Sequence, residues 1–291
     1  MTAAVASSER NAFDRVRYLL VLSRPRFWLY LAGPVLVGVV YGADSTRDLF
    51  APLSVALFAY FLVPANVFLY GVNDVFDVDV DERNPKKDEG PEARFSGERW
   101  VLLAVVVAGA LALPFGLAVG TAGKLVLGAF LFLAVEYSAP PLRFKTTPFL
   151  DSLSNGLYVL PGVLAFTAVA GELPPSLAVV GGWLWTMAMH TFSAIPDIDP
   201  DRRAGIQTTA TVLGQRRTYA YCGIVWTLAA IAFALVHPFL GVALAVYPLV
   251  QAVIAVSGVA VDRAYWWFPW INTAVGMVLT MGALWRLLDV A

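Results

Sequence analysis

The sequence predicts an all-α, polytopic membrane protein of about nine transmembrane helices, and three observations carry that prediction. Of its 291 residues 59% are hydrophobic and only 14% charged, which excludes an ordinary soluble domain. The apolar residues gather into runs of roughly 18–25, the length that crosses a hydrocarbon core. The basic residues segregate: all but Arg47, Lys124 and Arg286 of the 20 Lys and Arg fall on one side of the resulting topology.

The elements follow in order. Residues 1–17, MTAAVASSERNAFDRVR, form a polar leading segment before an apolar run that starts near Tyr18. A cleaved signal peptide has a shorter apolar core and a small-residue cleavage site, so this run is read as a retained first span. The spans fall at about 18–42, 50–72, 100–118, 122–139, 149–170, 175–195, 218–236, 239–260 and 266–288. Pro34, Pro64, Pro114, Pro161 and Pro248 lie inside spans, where kinks are expected. No sizeable water-soluble stretch remains, so residues 1–291 are read as one membrane-embedded domain. Excess Lys and Arg mark the cytoplasmic face, which puts the N-terminus inside and, with an odd number of spans, the C-terminus outside a cell membrane. Trp266, Trp267 and Trp270 read as interfacial anchors. A lone cysteine, Cys222, and two histidines, His190 and His237, make an intrachain disulfide impossible and a structural zinc site implausible.

Two acidic clusters end apolar runs on the inner face. The first is Asn73-Asp74-Val75-Phe76-Asp77-Val78-Asp79-Val80-Asp81, the second Asp197-Ile198-Asp199-Pro200-Asp201. If the second span continues as a helix, Asp74, Asp77 and Asp81 lie within about 60° of one another and Asp79 points away. Asp197 and Asp201, four residues apart, share a face that Asp199 does not. Crowded carboxylates repel unless cations or basic groups sit among them. Mg²⁺ takes hard oxygen ligands, few carboxylates per ion, and keeps positions for water and phosphate oxygens, so the two sets suit a Mg²⁺-bridged diphosphate. Glu82, Asp88, Glu89, Glu92 and Glu98 read as solvated loop acids. Basic residues stand near both clusters: Arg24 and Arg26 flanking Pro25, Arg143 and Lys145 after Tyr137-Ser138-Ala139-Pro140-Pro141, and Arg202 and Arg203 beside the second cluster. Each could clamp phosphate oxygens or simply obey the positive-inside bias. His190 reads first as a satisfied core histidine and second as a cavity residue that could accept a proton; if its helix runs on, it shares a face with Asp197. Asn66 and Asn155 read as helix–helix hydrogen-bonding residues.

These residues resemble the UbiA-type membrane prenyltransferases. The family's NDxxDxxxD motif is matched by Asn73, Asp74, Asp77 and Asp81, and its DxxxD with following Gly and Thr by Asp197, Asp201, Gly205 and Thr208. Its YSxPPxRxK element is matched by Tyr137, Ser138, Pro140, Pro141, Arg143 and Lys145, and its early Arg-Pro pair by Arg24-Pro25. The resemblance spans nearly the whole chain. One departure is Asn84-Pro85-Lys86-Lys87, where many aromatic-acceptor members carry Arg-Pro-Ile or Arg-Pro-Leu.

The resemblance implies a helical bundle around a central cavity that opens to lipid. By position, Asp74, Asp77, Asp81, Asp197 and Asp201 become the catalytic metal ligands for Mg²⁺. Asn73, Tyr137, Arg143, Lys145, Arg24 and Arg202 become the diphosphate-binding set. The runs SRPRFWLYLAGP, NDVFDVDVDERNPKK and HTFSAIPDIDPDRRAGIQTTAT are most similar to lycopene elongases of C50 carotenoid synthesis. The implied reaction is transfer of a prenyl group from an allylic diphosphate, dimethylallyl diphosphate first, to the ends of lycopene with hydration of the 1,2 double bond. An aromatic quinone precursor or an archaeal glycerol lipid is the alternative acceptor. A transporter fits less well, because the acids cluster at one face rather than at the midplane. Expected partners are the diphosphate, the apolar acceptor, membrane lipid and, as an open candidate, carotenoid-pathway enzymes, with no nucleic acid.

Overall fold

The computed structural model describes residues 11–77, 95 and 97–288; every regular element among them is helical. The first expected span is two helices, α1 (Ala12–Leu22) and α2 (Trp28–Gly42), separated by a 3₁₀ turn at Pro25–Phe27. A residue before proline is pushed out of the α region, and Arg24 takes φ 49°, ψ 72°. Ser23 holds the break, donating to the Leu20 carbonyl (2.7 Å) and accepting from Trp28 Nε1 (2.9 Å). Pro34 sits inside α2 without ending it.

The second span is likewise divided, into α3 (Pro52–Leu62) and α4 (Pro64–Phe76). Pro64 has no N–H to offer the preceding turn. The buried Asn66 side chain supplies donors instead, to the carbonyls of Phe61 and Leu62 at 3.0 Å each. Asn66 therefore mends a proline break within one span rather than tying two helices together.

The chain continues through α5 (Arg99–Ala110), α6 (Thr121–Glu136), α7 (Leu160–Ala170), α8 (Ser176–Ser193), α9 (Ile198–Ala204), α10 (Thr209–Val236), α11 (Val246–Ser257) and α12 (Phe268–Leu287). Pro114 and Pro161 stand at helix starts, where a missing N–H does no harm. Asn155 lies in the 3₁₀ turn Ser154–Tyr158 ahead of α7; it donates to the Asp151 carbonyl (2.6 Å), and its side chain also hydrogen-bonds Tyr137 at the end of α6. α10 begins nine residues before the expected 218 and bends at Gly214 (φ 71°, ψ 163°).

Six stretches among the described residues are long and apolar enough to cross a membrane: Thr46–Phe76, Arg99–Ala118, Leu150–Ala170, Thr209–Val236, Pro238–Ser257 and Val261–Leu287. They coincide with six of the nine expected spans. The other three are occupied by α1 with α2, by the 16-residue α6, and by α8, whose Trp, Thr, Gly and His residues lower its hydropathy.

Two cores form. One gathers Leu31, Val35, Leu57, Phe61, Phe130 and Leu164 from the first seven helices; the other gathers Phe192, Trp226, Tyr247 and Phe268 from the last five. α2 and α7 approach so closely that a Cβ on Gly38 would lie 2.1 Å from the Gly162 carbonyl oxygen, and one on Gly162 would lie 2.7 Å from that of Pro34. Small residues permit such backbone contact in membrane bundles. Large apolar side chains also cover the outside, among them Leu117 at 89% and Val256 at 86% exposure, as a lipid-facing surface requires.

Candidate functional site

Between the two cores lies a cavity of about 280 Å³, walled by Arg24, Phe27, Tyr30, Tyr70, Asn73, Tyr137, Asn155, Tyr158, Trp185, Thr186, His190, Ser193, Tyr265 and Asn272, with Leu69, Leu157 and Met189. Aromatic rings make up much of this wall, and Arg24 and Asn73 join it where the end of α4 meets the break after α1.

The left-handed turn at Arg24 aims its guanidinium back at α4. There it lies 3.3 Å from Asp74 Oδ1 and 4.5 Å from the Tyr70 ring centroid. Tyr70 and Asp74 are one helical turn apart, so one face of α4 offers the cation both a ring and a carboxylate. Asp74 is only 3% exposed, and burying it is tolerable because this pairing compensates the lost hydration. Asn73, its neighbour, donates to Ser138 Oγ (2.9 Å), joining the first acidic motif to the YSxPPxRxK element.

α4 stops at Phe76, so Asp77 is its cap (φ −109°, ψ 7°) and not a further helical residue. Asp79 and Asp81 lie outside the described residues; of the acidic face expected across Asp74, Asp77 and Asp81, Asp74 is helical and Asp77 is the cap. Asp77 accepts from Lys145 Nζ and from Arg143 Nη2 (3.3 Å), and Arg143 also donates to the Phe76 carbonyl (3.2 Å). A cation on the last carbonyls of a helix opposes its dipole. Arg143 is itself left-handed (φ 40°, ψ 57°), and its buried Nε has no hydrogen-bond partner among the described residues. Thus two arginines singled out from sequence occupy backbone conformations that non-glycine residues rarely take.

The second cluster is built differently. α8 ends at Ser193, a 3₁₀ turn covers Ile195–Asp197, and α9 then carries Asp201. Asp197 and Asp201 are half-buried while Asp199 is exposed, the sorting their spacing implies. Gly205 (φ 73°) stops α9, and Thr208 caps α10 by accepting from the Thr211 N–H (3.2 Å), so the motif's Gly and Thr shape a helix stop and start. Arg202 donates from Nε (3.1 Å) and Nη2 (2.6 Å) to the Thr211 carbonyl beside the Gly214 bend. Asp197, Asp201 and Arg202 are not part of the cavity wall.

Because α8 is not continuous to Asp197, the shared face expected for His190 and Asp197 is lost. His190 instead faces the cavity, with Nε2 3.4 Å from the Tyr137 hydroxyl and the rings at 85°. Arg26, left open between phosphate contact and surface charge, lies 3.4 Å from the Trp266 ring centroid and donates to the Trp266 carbonyl, so this tryptophan does more than anchor.

Sequence reasoning missed Asp151. It is 1% exposed and accepts from the Thr209 N–H (2.9 Å) and the Thr209 hydroxyl. It therefore ties the segment after the YSxPPxRxK element to the start of α10, directly after the second acidic cluster. An ionisable residue within an apolar run was the available signal.

Among the described residues no three His, Cys, Asp or Glu side chains converge. An ion at Asp74 or Asp77 would draw most of its ligands from water and substrate oxygens, and that ligation, with hard oxygen donors and basic groups alongside, fits Mg²⁺.

Comparison with known proteins accords with this architecture. Residues 31–275 match the UbiA prenyltransferase family. The lycopene elongase/hydratase of Haloferax volcanii is 64% identical over 95% of this chain and 91% of its own length. That of Halobacterium salinarum is 60% identical over 92% and 98%. A UbiA homologue from Archaeoglobus fulgidus, solved bound to DMAPP and Mg²⁺, superposes with a TM-score of 0.71 at 21% identity, covering 91% of this chain and 98% of that one. The chain is a membrane prenyltransferase and belongs to the UbiA family.

Proposed function

We propose that this prenyltransferase moves a dimethylallyl group from its diphosphate to the ends of lycopene and hydrates the 1,2 double bond, as a step of C50 carotenoid synthesis. One observation carries the reading: Arg24, Asn73 and Tyr137, backed by Asp74, line a cavity whose wall also carries the rings of Phe27, Tyr30, Tyr70, Tyr158, Trp185 and Tyr265. The relatives named lycopene elongase/hydratase, at 60–64% identity, support the acceptor and the hydration.

In this mechanism Arg24, Arg143 and Lys145 bind diphosphate oxygens, with the unpartnered Arg143 Nε as one donor. Asn73 and Tyr137 orient the leaving group. Asp74, Asp77 and Asp81, with Asp197 and Asp201, would hold Mg²⁺. Bound there, Mg²⁺ would supply charge neutralisation of the departing diphosphate. The aromatic wall excludes bulk water from the allylic cation and offers π faces to it. Carbon 2 of lycopene attacks that cation, leaving a tertiary cation at carbon 1 for water to capture. The apolar rod beyond the reacting end is held by burial along helix faces. The excess of Lys and Arg beside both acidic motifs supports a site opening to the cytoplasm, with the N-terminus inside and the C-terminus outside.

Membranes from a host expressing the chain, incubated with dimethylallyl diphosphate and lycopene, should yield a lycopene product heavier by one prenyl unit plus one water per reacted end. Product from 4-hydroxybenzoate and none from lycopene would replace this reading with an aromatic acceptor.

A further inference from the structure

We infer that His190 is the proton acceptor of the hydration step, an inference that rests on the function proposed above. Water capture of a tertiary cation forms a C–O bond and leaves a protonated oxygen, so a proton acceptor is needed inside a cavity built to exclude solvent. The wall offers few. The Thr186 and Ser193 hydroxyls donate to helix carbonyls (2.8 and 2.7 Å), and phenols and amides are poor proton acceptors. Asp74 lies outside the wall and is paired with Arg24. The His190 imidazole is the group in the wall able to take a proton reversibly.

The wall also holds a donor suited to that water. Asn272 Nδ2 is buried in the same wall with no hydrogen-bond partner among the described residues, and its Oδ1 is held by the Tyr247 hydroxyl (2.8 Å). An amide donor fixed in that way suits an oxygen ligand in the cavity. The atoms balance as follows. The C–O bond to diphosphate breaks with its pair leaving on the diphosphate, and the lycopene π pair then forms the new C–C bond to the prenyl carbon. A water lone pair forms the C–O bond at carbon 1. One water O–H then breaks, its proton passing to the imidazole and leaving with the released diphosphate.

The test is the product ratio of His190→Phe and His190→Gln in membranes given lycopene and dimethylallyl diphosphate. The hydrated product and the alkene, whose proton passes directly to the released diphosphate, differ in mass by one water. With the base removed, the hydrated-to-alkene ratio should fall at least about tenfold in both variants. An unchanged ratio, or a loss of both products in proportion including loss of all product, overturns the assignment, since a packing role would lower both together. A wild-type protein that prenylates lycopene without hydrating it, or leaves lycopene untouched, sinks the proposed function itself and is read from the wild-type lane.

Discussion

Replacing Asp151 with alanine should loosen the link between two parts of the site without touching a substrate group. The Asp151 carboxyl accepts from both the Thr209 N–H and the Thr209 hydroxyl, and all of these groups are buried. Loss of the N-terminal acceptor for a helix costs about 1 kcal/mol. A buried donor left without a partner adds about 1–3 kcal/mol. Together these give about 2–4 kcal/mol, which in a chain of this size lowers the unfolding midpoint by on the order of 5–10 °C. Asp151→Asn retains one acceptor oxygen for the N–H and should show roughly half the shift, while Thr209→Val, which also removes the acceptor of the Phe149 N–H (2.7 Å), should show one comparable to Asp151→Ala. Thermal unfolding of the purified protein in detergent, followed by tryptophan fluorescence, reads all three. In a double-mutant cycle Asp151→Ala and Thr209→Val should be strongly non-additive. An Asp151→Ala protein that melts with the wild type, or fully additive variants, would refute the account of this contact.

Asp74→Ala and Asp77→Ala should each lower prenyl transfer at least about a hundredfold while the protein still inserts, measured by product mass and membrane fractionation. Asp197→Ala should be as severe and the exposed Asp199→Ala mild; equal losses at Asp197 and Asp199 would contradict the sorting of that cluster. Chelation by EDTA should abolish turnover and added Mg²⁺ restore it, and metal-independent turnover would remove ionisation of the diphosphate as the mechanism. Gly38→Ala should destabilise by about 1–3 kcal/mol in thermal melts, because its new methyl meets the Gly162 backbone; an unchanged melt would show that α2 and α7 can separate.

The all-helical membrane class was legible because bilayer thickness imposes a run length that composition reveals directly. Six expected spans correspond to membrane-length helices. The Asp197 and Asp201 face was legible for a similar reason, since helical spacing is a local property. The first acidic motif was less so: α4 stops at Phe76, and whether a helix continues into a charged segment depends on what caps it. Here the cap includes Arg143, which is 67 residues away in sequence.

What the sequence determined by itself was therefore the environment and the local chemistry: apolar runs long enough to cross lipid, and acids sorted by spacing. Tertiary structure alone decided which cation meets which carboxylate, Arg24 with Asp74 and Lys145 with Asp77. It also set Asp151 against Thr209 and brought His190 to Tyr137 in one cavity wall. These pairs lie about 50–70 residues apart, and burial makes each partner indispensable. Composition and periodicity measure what a residue prefers locally, whereas a buried charge is stabilised only by the particular group that the packed helices place beside it.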